Sequence, residues 1–349
     1  MNKIVNNFLF KKKLYVCSLL NPLNPLLSMK WKFPKFLIIT LFVIFKTYGS
    51  HRILYVDQFY DILGNEQKEN DLLEFTVQNG FDKIILYDLH KINKVYPLAD
   101  ERKNSILARF IFKAKINYGL KGVGGSGESA EFFINAIHAY NMSRINPIER
   151  FDTYNLEYEY WKKDANKNGG YYCENYLKKN GEACNRKTTF NFFVNSLKTM
   201  KALAKENSHK VTVEAYVGKY YKHEIEKISR YVDRLLVHVY VTDPRNGFNS
   251  ANKRLEYLSD IKNMPKISII YSSETMFMGG WLKFNSIKKG ERIFIDSMQK
   301  TNKDLLRKIN FTNFTYYNYN KLAKSIKYYN SINGGFEKFK KNENILAAN

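Results

Sequence analysis

From residue 52 almost to the C-terminus, short apolar runs alternate with longer stretches whose apolar positions recur at helical spacing. The runs at 52–57, 83–88, 120–124, 151–161, 211–217, 235–241, 266–271 and 311–317 are rich in β-branched and aromatic residues and read as strands. The stretches at 69–79, 103–118, 130–141, 190–207, 223–233, 249–259, 292–300 and 321–329 read as helices. In 103–118 the residues Ile106, Leu107, Phe110, Ile111 and Ala114 share one face, and Gly119 closes the helix. Ser129 stands where it can cap the helix that follows. Strands that each lead into a helix predict an α/β chain, a parallel (β/α)8 barrel of one domain over 50–331. An open doubly wound sheet is the rival. It would carry a glycine-rich phosphate turn after its first strand, and Asp57-Gln58-Phe59-Tyr60-Asp61 offers none. No repeat or low-complexity linker divides the chain, and 332–349 reads as a polar tail rich in Lys and Asn.

The 349 residues exceed the roughly 250 that such a barrel needs, which leaves an N-terminal extension over 1–49. Residues 1–50 contain no Asp or Glu. Met29 to Lys35 is basic, Phe36 to Phe45 is wholly apolar apart from Thr40, and Thr47-Tyr48-Gly49 offers small residues at the positions a signal peptidase reads. This is the pattern of an export signal with its true start at Met29, and it predicts a protein that is secreted, periplasmic or at the cell surface. The apolar run is short of the about 20 residues that span a bilayer, so no stable membrane insertion is expected after cleavage; an uncleaved anchor is the alternative.

The formal charge of +23 suits polyanions in general. Lysine is nevertheless spread along the whole chain with no nucleic-acid recognition module, so nucleic acid is not an expected partner. Of the three cysteines, Cys17 lies in the extension, while Cys173 and Cys184 are near neighbours in a polar, Gly-containing stretch. In an exported protein that pair reads as a disulfide clip; two free thiols are the other reading. No second Cys or His pair has zinc spacing, so neither metal nor cofactor is expected. The chain is expected to act as a monomer.

Chemistry concentrates on the fourth strand, Asp152-Thr-Tyr-Asn155-Leu-Glu157-Tyr-Glu159-Tyr160-Trp161. Alternation along a strand puts Asn155, Glu157 and Glu159 on one face and Tyr154, Leu156, Tyr158 and Tyr160 on the other. The apolar set would pack outward against helices. The polar set would climb the barrel interior to the C-terminal mouth, where barrel enzymes hold their catalytic groups. Two carboxylates two positions apart repel, so one of them should hold its proton more tightly than a free Glu, as a general acid must. The plainer alternative is a polar ladder neutralised by Lys or Arg across the barrel.

The spacing Asp152-x-x-Asn155-x-Glu157-x-Glu159 resembles the Asp-x-x-Asp-x-Asp-x-Glu motif of glycoside hydrolase family 18, the chitinase-like and endo-β-N-acetylglucosaminidase-like barrels. Gly122-Val-Gly124-Gly125 is similar to that family's Ser-x-Gly-Gly on strand 3, and His238-Val-Tyr240-Val241 to its Met-x-Tyr-Asp on strand 6. The resemblance covers roughly 52–330 and is sharpest over 121–161. This chain departs from it at Gly122, Asn155, Glu157 and Val241, with Asp243 close to the last.

The resemblance implies substrate-assisted retaining hydrolysis of glycans containing N-acetylglucosamine. Glu159 would be the acid, Glu157 would orient the acetamido group and Tyr240 would donate its hydroxyl to the acetamido oxygen. Asn155, Asp152, His238 and Glu214 would contact the sugar. Trp281, in the loop after strand 7, would stack on it, and Tyr316 or Tyr317 would replace the tryptophan floor of strand 8. Asp57 and Asp88 end strands 1 and 2 and read mainly as structural groups. A glycan-binding protein of the same fold without catalysis is the alternative.

Overall fold

The computed structural model describes residues 51–346, with side chains to residue 334. The expected signal segment, the start at Met29 and Cys17 lie outside the described residues, as does the end of the tail. Among the described residues no helix is long and apolar enough to cross a membrane.

Eight parallel strands close into a barrel in sequence order. They are β1 (Arg52–Val56), β2 (Phe81–Leu86), β3 (Gly122–Gly127), β4 (Thr153–Leu156), β5 (Thr212–Val217), β6 (Arg234–His238), β7 (Lys266–Ser272) and β8 (Phe311–Tyr317), with β8 pairing back onto β1. The connecting helices are α1 (Glu66–Gln78), α2 (Ser105–Phe112), α3 (helical residues 130–143), α4 (Arg186–Glu206), α5 (Lys222–Ile228), α6 (Gly247–Ser259), α7 (Ile287–Thr301) and α8 (Tyr319–Leu346). The fold is the (β/α)8 barrel that the alternation predicts. Several helices start where their caps require: Asn65, Ser129, Asn185 and Ser286 each accept a backbone N–H from the first turn. The last helix continues beyond the expected 321–329, as far as Leu346.

The strands sort their residues into two packed regions. Outward residues such as Leu54, Ile84, Tyr154, Leu156, Val213 and Ile269 join the helices in one continuous core. Inward residues form a small second cluster of Ile53, Tyr55, Ile85, Tyr216, Leu236 and Ile270. Low in the barrel, the fully buried Glu214 receives Lys83 Nζ at 2.5 Å and Arg234 Nη1 at 2.7 Å. On the inward side of β3 a Cβ at Gly124 would stand 3.2 Å from Thr153 Cβ. Glycine there lets β3 and β4 pair without opening the barrel.

Two strands end sooner than their apolar runs. β4 stops at Leu156, although Glu157 N still donates to Gly127 O at 2.9 Å. β6 stops at His238. Glu157, Glu159 and Tyr240 therefore stand above the ladder, at the rim. Between β4 and α4 the chain makes an excursion clipped by a Cys173–Cys184 disulfide with Cα atoms 5.3 Å apart. The expected clip is thus present.

Candidate active site at the barrel mouth

The mouth is built from the residues that follow the strands. From β4, Glu157 and Glu159 lie close enough that the charge of Glu159 raises the proton affinity of Glu157. Burial is the larger cause: Glu157 Oε2 is shut off from solvent without a hydrogen-bond partner, and desolvation penalises its charged form. With Glu128 adding a third negative charge, the Glu157 carboxyl is pushed up to about 8. One carboxylate of the pair does hold its proton tightly, as like-charge repulsion predicts. The holder is Glu157, however, and desolvation outweighs the neighbour's charge. Glu159 is 17% exposed and forms an ion pair with Lys162, itself 58% exposed.

Beneath the pair sits Asn155, 0% exposed. Its Oδ1 accepts from Tyr55 Oη at 2.9 Å and Ser126 Oγ at 3.1 Å, and its Nδ2 has no partner. An amide fixed through its oxygen keeps two donors aimed into the barrel interior. Across the mouth, Tyr240 stands over His238 with ring centroids 4.0 Å apart and meets Phe277 at 5.0 Å and Tyr317 at 6.5 Å. The Tyr240 hydroxyl shares a hydrogen bond with Tyr216, and burial followed by the Glu157 charge keeps Tyr240 protonated. Burial, then the charges of Arg254 and Lys162, push His238 down to about 4, so its imidazole is neutral near pH 7. Trp161 closes the β4–β5 side. Its ring centroid is 5.4 Å from that of Tyr216, and a Cβ at Gly218 would stand 2.3 Å from its Cε2. Glycine at 218 is what makes room for the indole.

Glu157, Glu159, Tyr240, Asn155 and His238 are therefore brought together, and four expected contacts are not. Glu214 points inward but lies two positions below Tyr216, neutralised by Lys83 and Arg234; it holds the barrel and does not reach the mouth. Asp152 precedes β4 at the opposite end of the barrel, where Oδ2 meets Lys115 Nζ at 2.7 Å and accepts Val123 N at 2.9 Å. Tyr316 faces outward, fully buried beside Phe81 and Tyr271, and donates to Glu291 Oε1 at 3.3 Å. Strand alternation gives the interior position to Tyr317 instead. Trp281 is turned onto α7, its Cζ3 3.2 Å from where a Gly290 Cβ would stand, and anchors the loop.

Asp57 and Asp88 do end their strands at this rim. Asp57 is raised by burial, and Asp88 pairs with Lys91 at 3.2 Å. Asp243 is taken up by Arg245. Of the methionines after β7, Met278 is packed in the core and Met276 is exposed.

Tyr55, Tyr216, Trp161, Phe277 and Glu128 belong to the site and escaped the sequence reading as site residues. The signal for Tyr55 and Tyr216 was present, since each shares parity with a polar residue two positions away, Asp57 and Glu214. Among the described residues no group of three or more His, Cys, Asp or Glu is arranged to hold a metal ion. A cavity of about 330 Å³ lined by Arg52, Gly80, Ser286 and Tyr329 lies on the helical side, away from this chemistry.

The sequence matches no protein-family profile. It matches no curated protein. Among solved structures the chain is similar to the β-glucosidase from Thermotoga maritima in complex with glucoimidazole, with a TM-score of 0.46 and 7% identity over 78% of this chain and 88% of that one. It is likewise similar to the family 1 β-glucosidase of that organism in complex with isofagomine lactam, at 0.46 and 8% over 74% and 77%. A third is the Thermotoga maritima family 1 glycoside hydrolase complexed with a cyclophellitol analogue, at 0.45 and 10% over 73% and 77%.

Proposed function

We propose that the protein is a glycoside hydrolase acting, as an exported monomer, on glycans that contain N-acetylglucosamine. The observation that carries this reading is the carboxyl pair at the mouth, in which Glu157 keeps a proton to about 8 beside the more open Glu159. Tyrosines and a neutral histidine surround the pair. The similarity of 122–125 and 152–159 to the family 18 motifs supports the acetamido sugar as substrate.

In this mechanism the pair works as one unit, with Glu157 storing the proton and Glu159 delivering it. The proton held on Glu157 passes to Glu159, which gives it to the glycosidic oxygen as the C1–O bond breaks, and the acetamido oxygen bonds to C1. Glu157 is then left as a carboxylate beside the positive oxazolinium ion, where its charge is stabilising. Tyr240, held protonated by burial, donates to the acetamido oxygen, and Asn155 Nδ2 supplies a donor from below. Water then bonds to C1 as the bond from C1 to the acetamido oxygen breaks, with retention of configuration, and its proton goes to the Glu159 carboxylate.

Chitin oligosaccharides and high-mannose glycopeptides test the reading. Glu159→Gln is expected to lower turnover by at least about 100-fold, the scale of a general acid, while binding persists. A wild-type protein that neither binds nor cleaves either glycan overturns it. The ion pair between Lys162 and Glu159 favours a second reading, a carbohydrate-binding protein without catalysis. Wild type that binds oligosaccharide and never cleaves it would establish that one.

A further inference from the structure

The excursion clipped by the disulfide does more than cover α4. Two of its tyrosines reach back to the barrel and hold Glu128, the first residue after β3. Tyr171 Oη donates to Glu128 Oε2 at 2.8 Å and Tyr176 Oη to the same atom at 2.5 Å. Glu128 Oε1 takes no hydrogen bond, and the carboxylate has no ion-pair partner among the described residues, in a chain of net charge +23. The surroundings are aromatic. The ring centroid of Tyr176 lies 6.2 Å from Tyr171, 6.1 Å from Tyr172 and 5.7 Å from Tyr158. Tyr158 is fully buried and its hydroxyl has no partner. One side is open, since Tyr171 is 53% exposed.

The place is next to the reacting pair. Gly127 and Leu156 are register partners and Glu157 N bonds to Gly127 O, so Glu128 and Glu157 leave adjacent strands side by side. We propose that Glu128 and the tyrosines around it form a subsite for a primary ammonium group, that of an unacetylated glucosamine unit flanking the N-acetylated sugar at Glu157 and Glu159. A half-buried carboxylate fixed by two hydroxyls, with one oxygen free, is complementary to an ammonium ion by charge and as a hydrogen-bond acceptor.

The field at this spot agrees. After burial, the Glu128 charge is the next cause raising the proton affinity of Tyr158, Tyr172 and Tyr176. It also acts on Glu157, behind burial and Glu159, and on Tyr87, behind Glu157 and burial. Lys162 is the cation that acts on Glu157, and it is engaged by Glu159. Anions are disfavoured around Glu128, and a cation would be stabilised there.

This inference rests on the glycan-binding reading but not on turnover, so binding is the measurement. Calorimetric titration in the Glu159→Gln background compares a fully N-acetylated chitin oligosaccharide with a partially deacetylated one of equal length. Adding Glu128→Gln is expected to weaken the deacetylated ligand about tenfold, the scale of a partly desolvated ammonium contact, and the acetylated ligand less than about twofold. Raised salt should erode only the first affinity. Equal losses for both ligands, or none, overturn the subsite while leaving the glycosidase reading in place. Failure of both ligands to bind overturns both. Should Glu128→Gln not fold, Tyr171→Phe, which removes one of the two hydroxyls that fix the carboxylate, is expected to give the same selective loss at about threefold. An indifferent Tyr171→Phe counts against the proposal.

Discussion

At the scale of single residues, the Glu157 carboxyl departs far from its free form. Its carboxyl is protonated in the folded chain up to about 8, against an ordinary value of 4.5, with burial as the chief cause. Below 4.5 both folded and unfolded chains carry the proton and the group is neutral to stability. Between 4.5 and about 8 only the folded chain carries it, so the folded state pays increasingly for the buried acid as pH rises. Above that window the cost is constant. Glu157→Gln is therefore expected to melt at a higher temperature than wild type at pH 8 and to lose that advantage toward pH 4. A melting series from pH 4 to pH 9 reads the difference, and parallel curves would contradict the burial of Glu157. The parity of 155, 157 and 159 was legible in the sequence, because alternation along a strand needs only local information. The pairing of Glu159 with Lys162, three residues on, was not read there, since a neutralising cation was sought across the barrel. The larger part of the Glu157 shift was not legible, since it comes from burial by residues that other strands bring in, with Glu128 a smaller cause.

At the scale of elements, β4 and the segment after it decide the shape of the mouth. The strand leaves its ladder at Leu156, which turns Trp161 toward β5 and against Gly218. Gly218→Ala places a methyl group 2.3 Å from the indole, well inside contact distance. The expected result is a displaced Trp161, with a shift in tryptophan fluorescence and a loss of about 1–3 kcal/mol in stability, the usual cost of overpacking. An unchanged emission spectrum and unchanged stability would mean that Trp161 does not fill this space. Strand and helix identities were readable from periodicity, whereas the ends of β4 and β6 were not, because 157–161 keeps the alternation of a strand and 239–241 stays apolar and aromatic past the last strand residue. The same limit explains Tyr316 and Trp281. Each sits in a stretch whose composition fits a sugar platform, and only the register of β8 and the packing on α7 turn them away.

At the scale of the whole molecule, the barrel is closed by a polar interior that its own charges neutralise. Glu214, Lys83 and Arg234 come from β5, β2 and β6 and meet where Glu214 is fully buried and the two cations largely so. The Lys83 proton is held less tightly than usual through burial, with Arg234 adding to the effect and Glu214 opposing it. Glu214→Gln would leave two buried cations without a counter-charge and is expected to cost about 3–5 kcal/mol of stability. If that variant folds, its affinity for glycan should match wild type, because Glu214 is below the mouth. A denaturant titration and an oligosaccharide binding curve separate the two effects, and a selective loss of binding would restore Glu214 to the site. Asp152 and Glu214 were readable as inward or motif acids. Their partners lie 37 and 131 residues away along the chain, and no local pattern announces such encounters.

The Cys173–Cys184 bond has a consequence for when the site becomes complete. No strand of the barrel contains a cysteine, so closing the sheet does not wait for oxidation. The segment that brings Tyr171 and Tyr176 to Glu128 is the one the bond tethers. A newly made chain in a thiol-rich compartment would thus own a finished scaffold with one rim still loose, and would acquire its final contour only where electrons can be withdrawn from sulfur.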